Sequence, residues 1–213
     1  MRRQGGGKTT IDRDHEQRVY THPEHAREIL EYLTPHLLTQ RINFGDKVKT
    51  LDACCGAGAF GMACREVLYN ANHRLATHVT FLDVDPDIIA CDASVGSIVK
   101  GSVHDLPVAT QFDVIVCNPP WRLSEALPIY EKLLTLLAPN GVLFFLISNV
   151  FCYQNSARGE QLKFQKYYFL PRWVFKHAGR PLLDCGVLVY HNNNRVPAGA
   201  ARLSPYIPIT RIA

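Results

Sequence analysis

A glycine loop set between an apolar strand and a helix constrains this chain most. Residues 48–53 (VKTLDA) read as a strand, and Gly56-Ala57-Gly58-Ala59-Phe60-Gly61 completes a GxGxxG pattern. Residues 59–69 continue as a helix, and Asp83 closes the next apolar run, HVTFLDV at 78–84. Strand, glycine turn, helix and strand-end acid together define a βαβ unit, because parallel strands need a crossover between them. The rest of the chain repeats that alternation. Strands are expected at 97–101, 112–117 (FDVIVC), 141–148 (GVLFFLIS) and 185–191 (CGVLVYH). Helices are expected at 23–38, just after Pro86, at 125–137 and at 156–168, with 173–176 extended. Pro139-Asn140-Gly141 reads as the turn that ends the helix at 125–137. Strands alternating with helices predict an α/β chain with a parallel, doubly wound sheet.

The first of those helices carries Ala26, Ile29, Leu30, Leu33 and Leu37 at helical spacing, with Thr21 as its expected cap and Pro23 in its first turn. Before it, GGGKTT at 5–10 imitates a phosphate-binding loop. That motif would need glycine at position 2, where Arg2 stands, and a strand in front. No apolar run reaches the ~18 residues of a membrane helix. The basic start lacks the apolar segment of an export signal, and seven cysteines without repeated spacing read as free thiols. A cytoplasmic protein without membrane contact is expected.

Net charge is +4, but it is unevenly spread. Residues 1–50 carry +2, residues 51–150 carry −5 and residues 151–213 carry +7. An acidic middle followed by a basic last third suits a small-molecule site beside a surface facing a polyanion, although a solvated charged surface has the same composition. His15, His22 and His25 with Glu24 do not make a convincing metal cluster, since His22 and His25 flank a proline-initiated helix start.

The acids near the glycine loop narrow the ligand. Asp83, 22 residues beyond Gly61, is placed to hold ribose hydroxyls. Asp52, at the end of the first strand, would repel the pyrophosphate of a nicotinamide dinucleotide. It would attract an ammonium group instead. S-adenosylmethionine has that group, a sulfonium, a ribose and no phosphate, so it fits both acids.

The fourth strand runs into Cys117-Asn118-Pro119-Pro120-Trp121. Two prolines cannot continue a strand ladder, so they make a rigid bend that sets the Asn118 side chain and the Pro119 carbonyl. Those two acceptors can take both hydrogens of a planar amino group, while Trp121 offers a stacking face. Drawing the nitrogen toward tetrahedral geometry frees its delocalised lone pair for a methyl donor. No covalent intermediate is required, and Cys117 reads as a buried strand residue rather than a nucleophile.

LDACCGAGAFG, FLDVDPD and DVIVCNPPW, in that order, resemble motifs I, II and IV of class I S-adenosylmethionine-dependent methyltransferases that methylate amino groups. Among these, the chain is most similar to N6-adenine DNA methyltransferases. The resemblance implies a Rossmann-like, mostly parallel seven-stranded sheet with an antiparallel last strand and helices on both faces. It places the catalytic domain at 19–191; the polar, glycine-containing 1–18 is expected to be flexible, and 192–213, with three prolines and no helical period, an irregular tail. Asn118, Pro119, Pro120 and Trp121 would be the catalytic set. Thr21, Asp52, Cys54, Gly56 and Gly58 would hold the methionine part of S-adenosyl-L-methionine. Asp83 would take its ribose hydroxyls, Val84 would pack on its adenine, and Asp105 would accept from the adenine amino group. Phe175, with Trp173 as a rival, would cover the target base opposite Trp121.

The reaction this implies is transfer of a methyl group to the adenine N6 amino group of a nucleic acid, DNA before RNA. The alternatives are an amino group in ribosomal or transfer RNA, or a protein glutamine amide. About 23 residues come after the last strand, too few for a recognition domain. Target recognition would then be short, or come from the tail or a specificity partner.

Overall fold

A computed structural model describes residues 21–38, 47–71, 76–84, 95–149, 151, 164–171, 174, 184–192 and 202–206. Within them, helix α1 spans Pro23–Leu38, strand β1 Lys47–Ala53, α2 Ala59–Ala71, β2 Ala76–Asp83 and β3 Gly96–Lys100. A 3-10 turn at Val103–Asp105 precedes β4 (Phe112–Cys117), α3 (Leu123–Thr135), β5 (Leu137–Ser148), β6 (Lys166–Leu170), β7 (Cys185–His191) and β8 (Arg202–Tyr206).

The strands form one sheet in the order β3-β2-β1-β4-β5-β7-β6-β8. β1 pairs in parallel with β2 on one side and β4 on the other, so the winding direction reverses beside it. Doubly wound sheets bind their ligands at the carboxyl ends of the strands flanking such a reversal. β7 is antiparallel to both β5 and β6. The expected class I architecture is therefore present, with one more strand than expected.

Alternation along the strands sorts the core into two layers. Val114, Val116, Phe144 and Leu146 face α1 and α2, whereas Ile115, Cys117, Phe145 and Ile147 face α3. Every position of the helical stripe on α1 is fully buried: Ala26, Ile29, Leu30, Leu33 and Leu37. Tyr130 of α3 meets Phe145 edge to face, with ring centroids 5.0 Å apart. β4 and β5 are buried on both faces, the reason their sequences are nearly continuous apolar runs.

Four local expectations are corrected. His22, not Thr21, caps α1: its ring Nδ1 accepts from the Glu24 amide at 3.3 Å, and its carbonyl accepts from the Ala26 amide at 3.0 Å. Pro139-Asn140-Gly141 lies inside β5, where the pairing register with β4 shifts. Asn140 takes φ 65° there, and Asn192 ties the irregularity down through the Leu137 and Ala138 carbonyls at 3.0 Å each. Residues 166–168, expected as helix, belong to β6, since Tyr167, Tyr168 and Leu170 are buried against β7. Residues 164 and 165 are not helical either; 156–163 of that expected helix, the short helix after Pro86 and most of 173–176 lie outside the described residues. Finally, the tail expected to be irregular supplies β8, which pairs in parallel with β6. Its register skips Pro205 between Ser204 and Tyr206, as an edge strand permits.

Candidate active site

The carboxyl ends of β1, β2, β3 and β4 open into one cavity of about 640 Å³, within the ~300–1,000 Å³ typical of ligand sites. Nine of the residues expected from sequence line it: Thr21, Asp52, Cys54, Gly56, Asp83, Val84, Asn118, Pro119 and Pro120. They come from segments far apart in the chain and meet because parallel strands end on the same edge.

The glycine loop is built around two carboxylates. Asp52 is buried, with 1% exposure, and its Oδ2 accepts from the Gly61 amide at 2.7 Å. Asp83 Oδ2 accepts from the Gly56 amide at 2.8 Å. The two acids read from sequence as ligand partners therefore also anchor the two ends of the loop. Gly58 lies at φ +76°, and a Cβ on it would press on the Phe81 ring at 3.3 Å. At Gly61 a Cβ would meet Phe81 Cε1 at 2.4 Å and Asp52 Oδ2 at 2.9 Å, so α2 approaches β2 too closely for any side chain. Cys54 adopts φ 56° without being glycine, a strained backbone at a cavity wall.

Burial raises the Asp52 carboxyl to about 7, with neighbouring Asp83 adding to the rise and the Gly61 hydrogen bond opposing it. A buried acid in that state gains most from a cationic ligand, which restores the charge it has lost. At the rim, Val84 is 64% exposed, an apolar surface that a flat ring would cover. Burial also pushes the Cys117 thiol well above its ordinary range, in agreement with the buried, non-nucleophilic reading of that residue.

Some expected residues fall outside the lining. Gly58 shapes the turn without facing the cavity. Asp105 braces the 3-10 turn instead: its Oδ2 accepts from the Ser102 amide at 3.1 Å, while Ser102 Oγ accepts from the His104 amide at 3.2 Å. That reciprocal cap presents Ser102 and His104 to the cavity in its place. Trp121 is not in the lining either. It packs against the apolar clusters on both sides of the sheet, and its Nε1 donates to Asn118 Oδ1 at 3.1 Å. Asn118 Nδ2 in turn donates to Thr21 Oγ at 3.4 Å. Phe175 and Trp173 lie outside the described residues.

Sequence reading missed Phe60, Ser102, His104, and Ser124, Glu125, Pro128 and Ile129 of α3. The last four lie in the first two turns of α3, directly after the double proline, and helical spacing from Ser124 would have found them. His22 and His25 serve α1: His25 Nδ1 donates to the Val174 carbonyl at 3.1 Å. Among the described residues no group of three potential metal ligands converges. Nor is any described helix long and apolar enough to cross a membrane.

A buried acid at the end of β1, an acid at the end of β2 and an exposed apolar residue beside it fit S-adenosylmethionine by charge, hydroxyl and ring. The sheet order and this cavity define a class I S-adenosylmethionine-dependent methyltransferase. The chain belongs to the methyltransferase small domain family, whose model matches residues 31–167. Its cofactor is S-adenosylmethionine.

Solved structures share the fold. A protein of Listeria monocytogenes assigned to the class I S-adenosylmethionine-dependent methyltransferases has a TM-score of 0.65 at 15% identity, covering 96% of this chain and 69% of its own. The plantazolicin methyltransferase BpumL, solved with S-adenosylhomocysteine, has a TM-score of 0.51 at 13% identity, covering 85% and 89%. A predicted O-methyltransferase of Agrobacterium tumefaciens has a TM-score of 0.50 at 16% identity, covering 86% of each chain. No curated protein matches the chain.

Proposed function

We propose that this enzyme transfers a methyl group to the exocyclic N6 amino group of adenine in DNA. The observation that carries the reading is Asn118-Pro119-Pro120, at the end of β4, lining the same cavity as Asp52 and Asp83. When bound, S-adenosylmethionine supplies an electrophilic methyl group and leaves as S-adenosylhomocysteine. Asp52 would face its ammonium, Thr21 its carboxylate, Asp83 its ribose hydroxyls and Val84 its adenine. Asn118 Oδ1 and the Pro119 carbonyl accept the two amino hydrogens of the target, directing the nitrogen lone pair at the methyl group. The transfer would make the N–C bond at the expense of the donor's C–S bond, with the amino proton released to solvent. Rigid placement of both reactants supplies much of the acceleration.

An aromatic side chain from the 173–175 segment would cover the extruded base, contributing ~1–3 kcal/mol toward its unstacking. Arg158, Lys163, Lys166, Arg172, Lys176 and Arg180 would neutralise backbone phosphates. Affinity for DNA then falls steeply with salt. Recognition of the target sequence would fall to the C-terminal segment or a partner protein, and the enzyme would work in the cytoplasm.

The test is methyl transfer from labelled S-adenosylmethionine to duplex DNA, single-stranded DNA and bulk RNA, with the product nucleoside identified by mass spectrometry. N6-methyladenine in DNA is expected, and Asn118→Ala should abolish it while leaving cofactor affinity within about twofold. Label confined to RNA or protein, or full activity in Asn118→Ala, would overturn the reading.

A further inference from the structure

An asparagine carboxamide offers an acceptor at one end and donors at the other, and rotation by half a turn exchanges them. For Asn118 to accept an amino hydrogen its oxygen must be held in one direction. The structure shows how that is done. Trp121 Nε1–H points at Oδ1 from 3.1 Å, and Asn118 Nδ2 donates to Thr21 Oγ at 3.4 Å. In the flipped orientation Nδ2 would confront the indole N–H, donor against donor. An indole nitrogen only donates, so this contact admits a single orientation. A carboxamide oxygen has two lone-pair directions, so accepting from the indole is compatible with accepting from a target amino group as well.

The indole itself is held by the core. Trp121 packs against the buried clusters of both sheet faces, and the two prolines between it and Asn118 stiffen the connection. Thr21 is 7% exposed and lines the cavity immediately before α1, so its hydroxyl is fixed as well. Phenylalanine or tyrosine at position 121 would keep an aromatic ring but could not donate from the indole nitrogen's position.

Building on the proposed amino-group chemistry, we infer that Trp121 and Thr21 are positioning residues that lock the Asn118 carboxamide in its accepting orientation. Trp121 does so through its N–H rather than through stacking on the target base. The chain has two tryptophans, Trp121 and Trp173, so the ¹⁵N–¹H spectrum of the indoles holds two resonances, and Trp121→Phe assigns the relevant one. Asn118→Ala should move the Trp121 resonance toward the position of an indole without a hydrogen-bond acceptor, with or without S-adenosylhomocysteine.

In turnover, Trp121→Phe should lower kcat about 3- to 10-fold, the worth of one hydrogen bond, with KM for DNA and cofactor affinity unchanged. Thr21→Val should lower kcat as well, but with a loss of cofactor affinity besides, because the same hydroxyl faces the cofactor carboxylate, and Thr21→Ser should restore both. An indole resonance indifferent to Asn118→Ala overturns the inference. So does a Trp121→Phe enzyme with normal kcat, or one that binds cofactor normally but loses only KM for DNA, as a stacking residue would. Should no adenine be methylated by the unmodified enzyme, the functional reading fails instead, and the indole resonance still decides the geometry.

Discussion

If Asp52 faces the ligand ammonium as proposed, lowering the pH from 8 to 6 should weaken binding of S-adenosylhomocysteine about tenfold. The structure supplies the magnitude. Burial and the nearby Asp83 raise the carboxyl from 3.8 to about 7, against the pull of the Gly61 amide. About nine-tenths of the molecules then carry the charge at pH 8 and about one-tenth at pH 6, a tenfold change in the binding-competent fraction. The sign comes from linkage. A raised carboxyl means that the native state holds a proton which the unfolded chain has lost between about pH 4 and 7. Stability of the ligand-free protein therefore declines as pH rises through that window, by on the order of 4 kcal/mol in the limit. The ligand reverses the trend by holding the charged form.

Isothermal titration calorimetry in two buffers of different ionisation enthalpy measures both affinity and proton release. Close to one proton should leave per ligand bound at pH 6, and almost none at pH 8. Asp52→Asn keeps an oxygen for the Gly61 amide and removes the charge. Its affinity should fall by about 10- to 100-fold at pH 8, the worth of a charge-assisted hydrogen bond. Across pH 6–8 it should be flat. A wild-type affinity independent of pH, or an Asp52→Asn protein with the same pH slope as wild type, refutes the reasoning.

Two further outcomes concern stability. Gly61→Ala should cost about 1–3 kcal/mol in urea unfolding, since the added Cβ meets the buried Phe81 ring at 2.4 Å and the Asp52 carboxylate at 2.9 Å. An unchanged midpoint would show that α2 can shift away from β2. Where α1 meets β6 and β7, His36 Nδ1 lies 3.1 Å from His191 Nε2, and His36 Nε2 lies 2.6 Å from the Tyr168 hydroxyl. Burial lowers both histidines to about 4, with His191 and then Lys166 adding to the shift of His36, and Lys166 alone adding to that of His191. Each is then neutral in the native state at pH values where the unfolded chain is protonated. Their contribution is fully present above about pH 6.5 and is lost as pH falls toward 4. The melting temperature should drop across that window, and His36→Gln should shrink the drop; equal slopes in both proteins would sink the assignment.

Much of this was legible in one dimension because the signals are local. The helical stripe of α1, the buried runs of β4 and β5, the glycine loop and the double proline each report neighbouring residues, and periodicity or ring chemistry reads them directly. The order of motifs then implied which strand ends share an edge, which is why Asp52, Asp83 and Asn118 could be placed in one site. Long-range pairing decided the remainder. Residues 166–170 (KYYFL) are too short and too close to a polar stretch for their strand-prone aromatics to outweigh a helix reading, and their place beside β7 makes them β6. β8 exists because β6 offers an open edge, something composition cannot announce.

The sequence by itself pointed to the cofactor: two acids at strand ends and a glycine turn are fixed by residue type and spacing. Only the tertiary structure decided which atoms those residues turn toward the cavity. Asp105 faced its own turn, because a nearby backbone amide competes successfully for its carboxylate. Trp121 faced Asn118, because its ring is caught between two cores. Local chemistry names the groups that can act, whereas burial and competing hydrogen bonds, set by residues distant in the chain, choose among their partners.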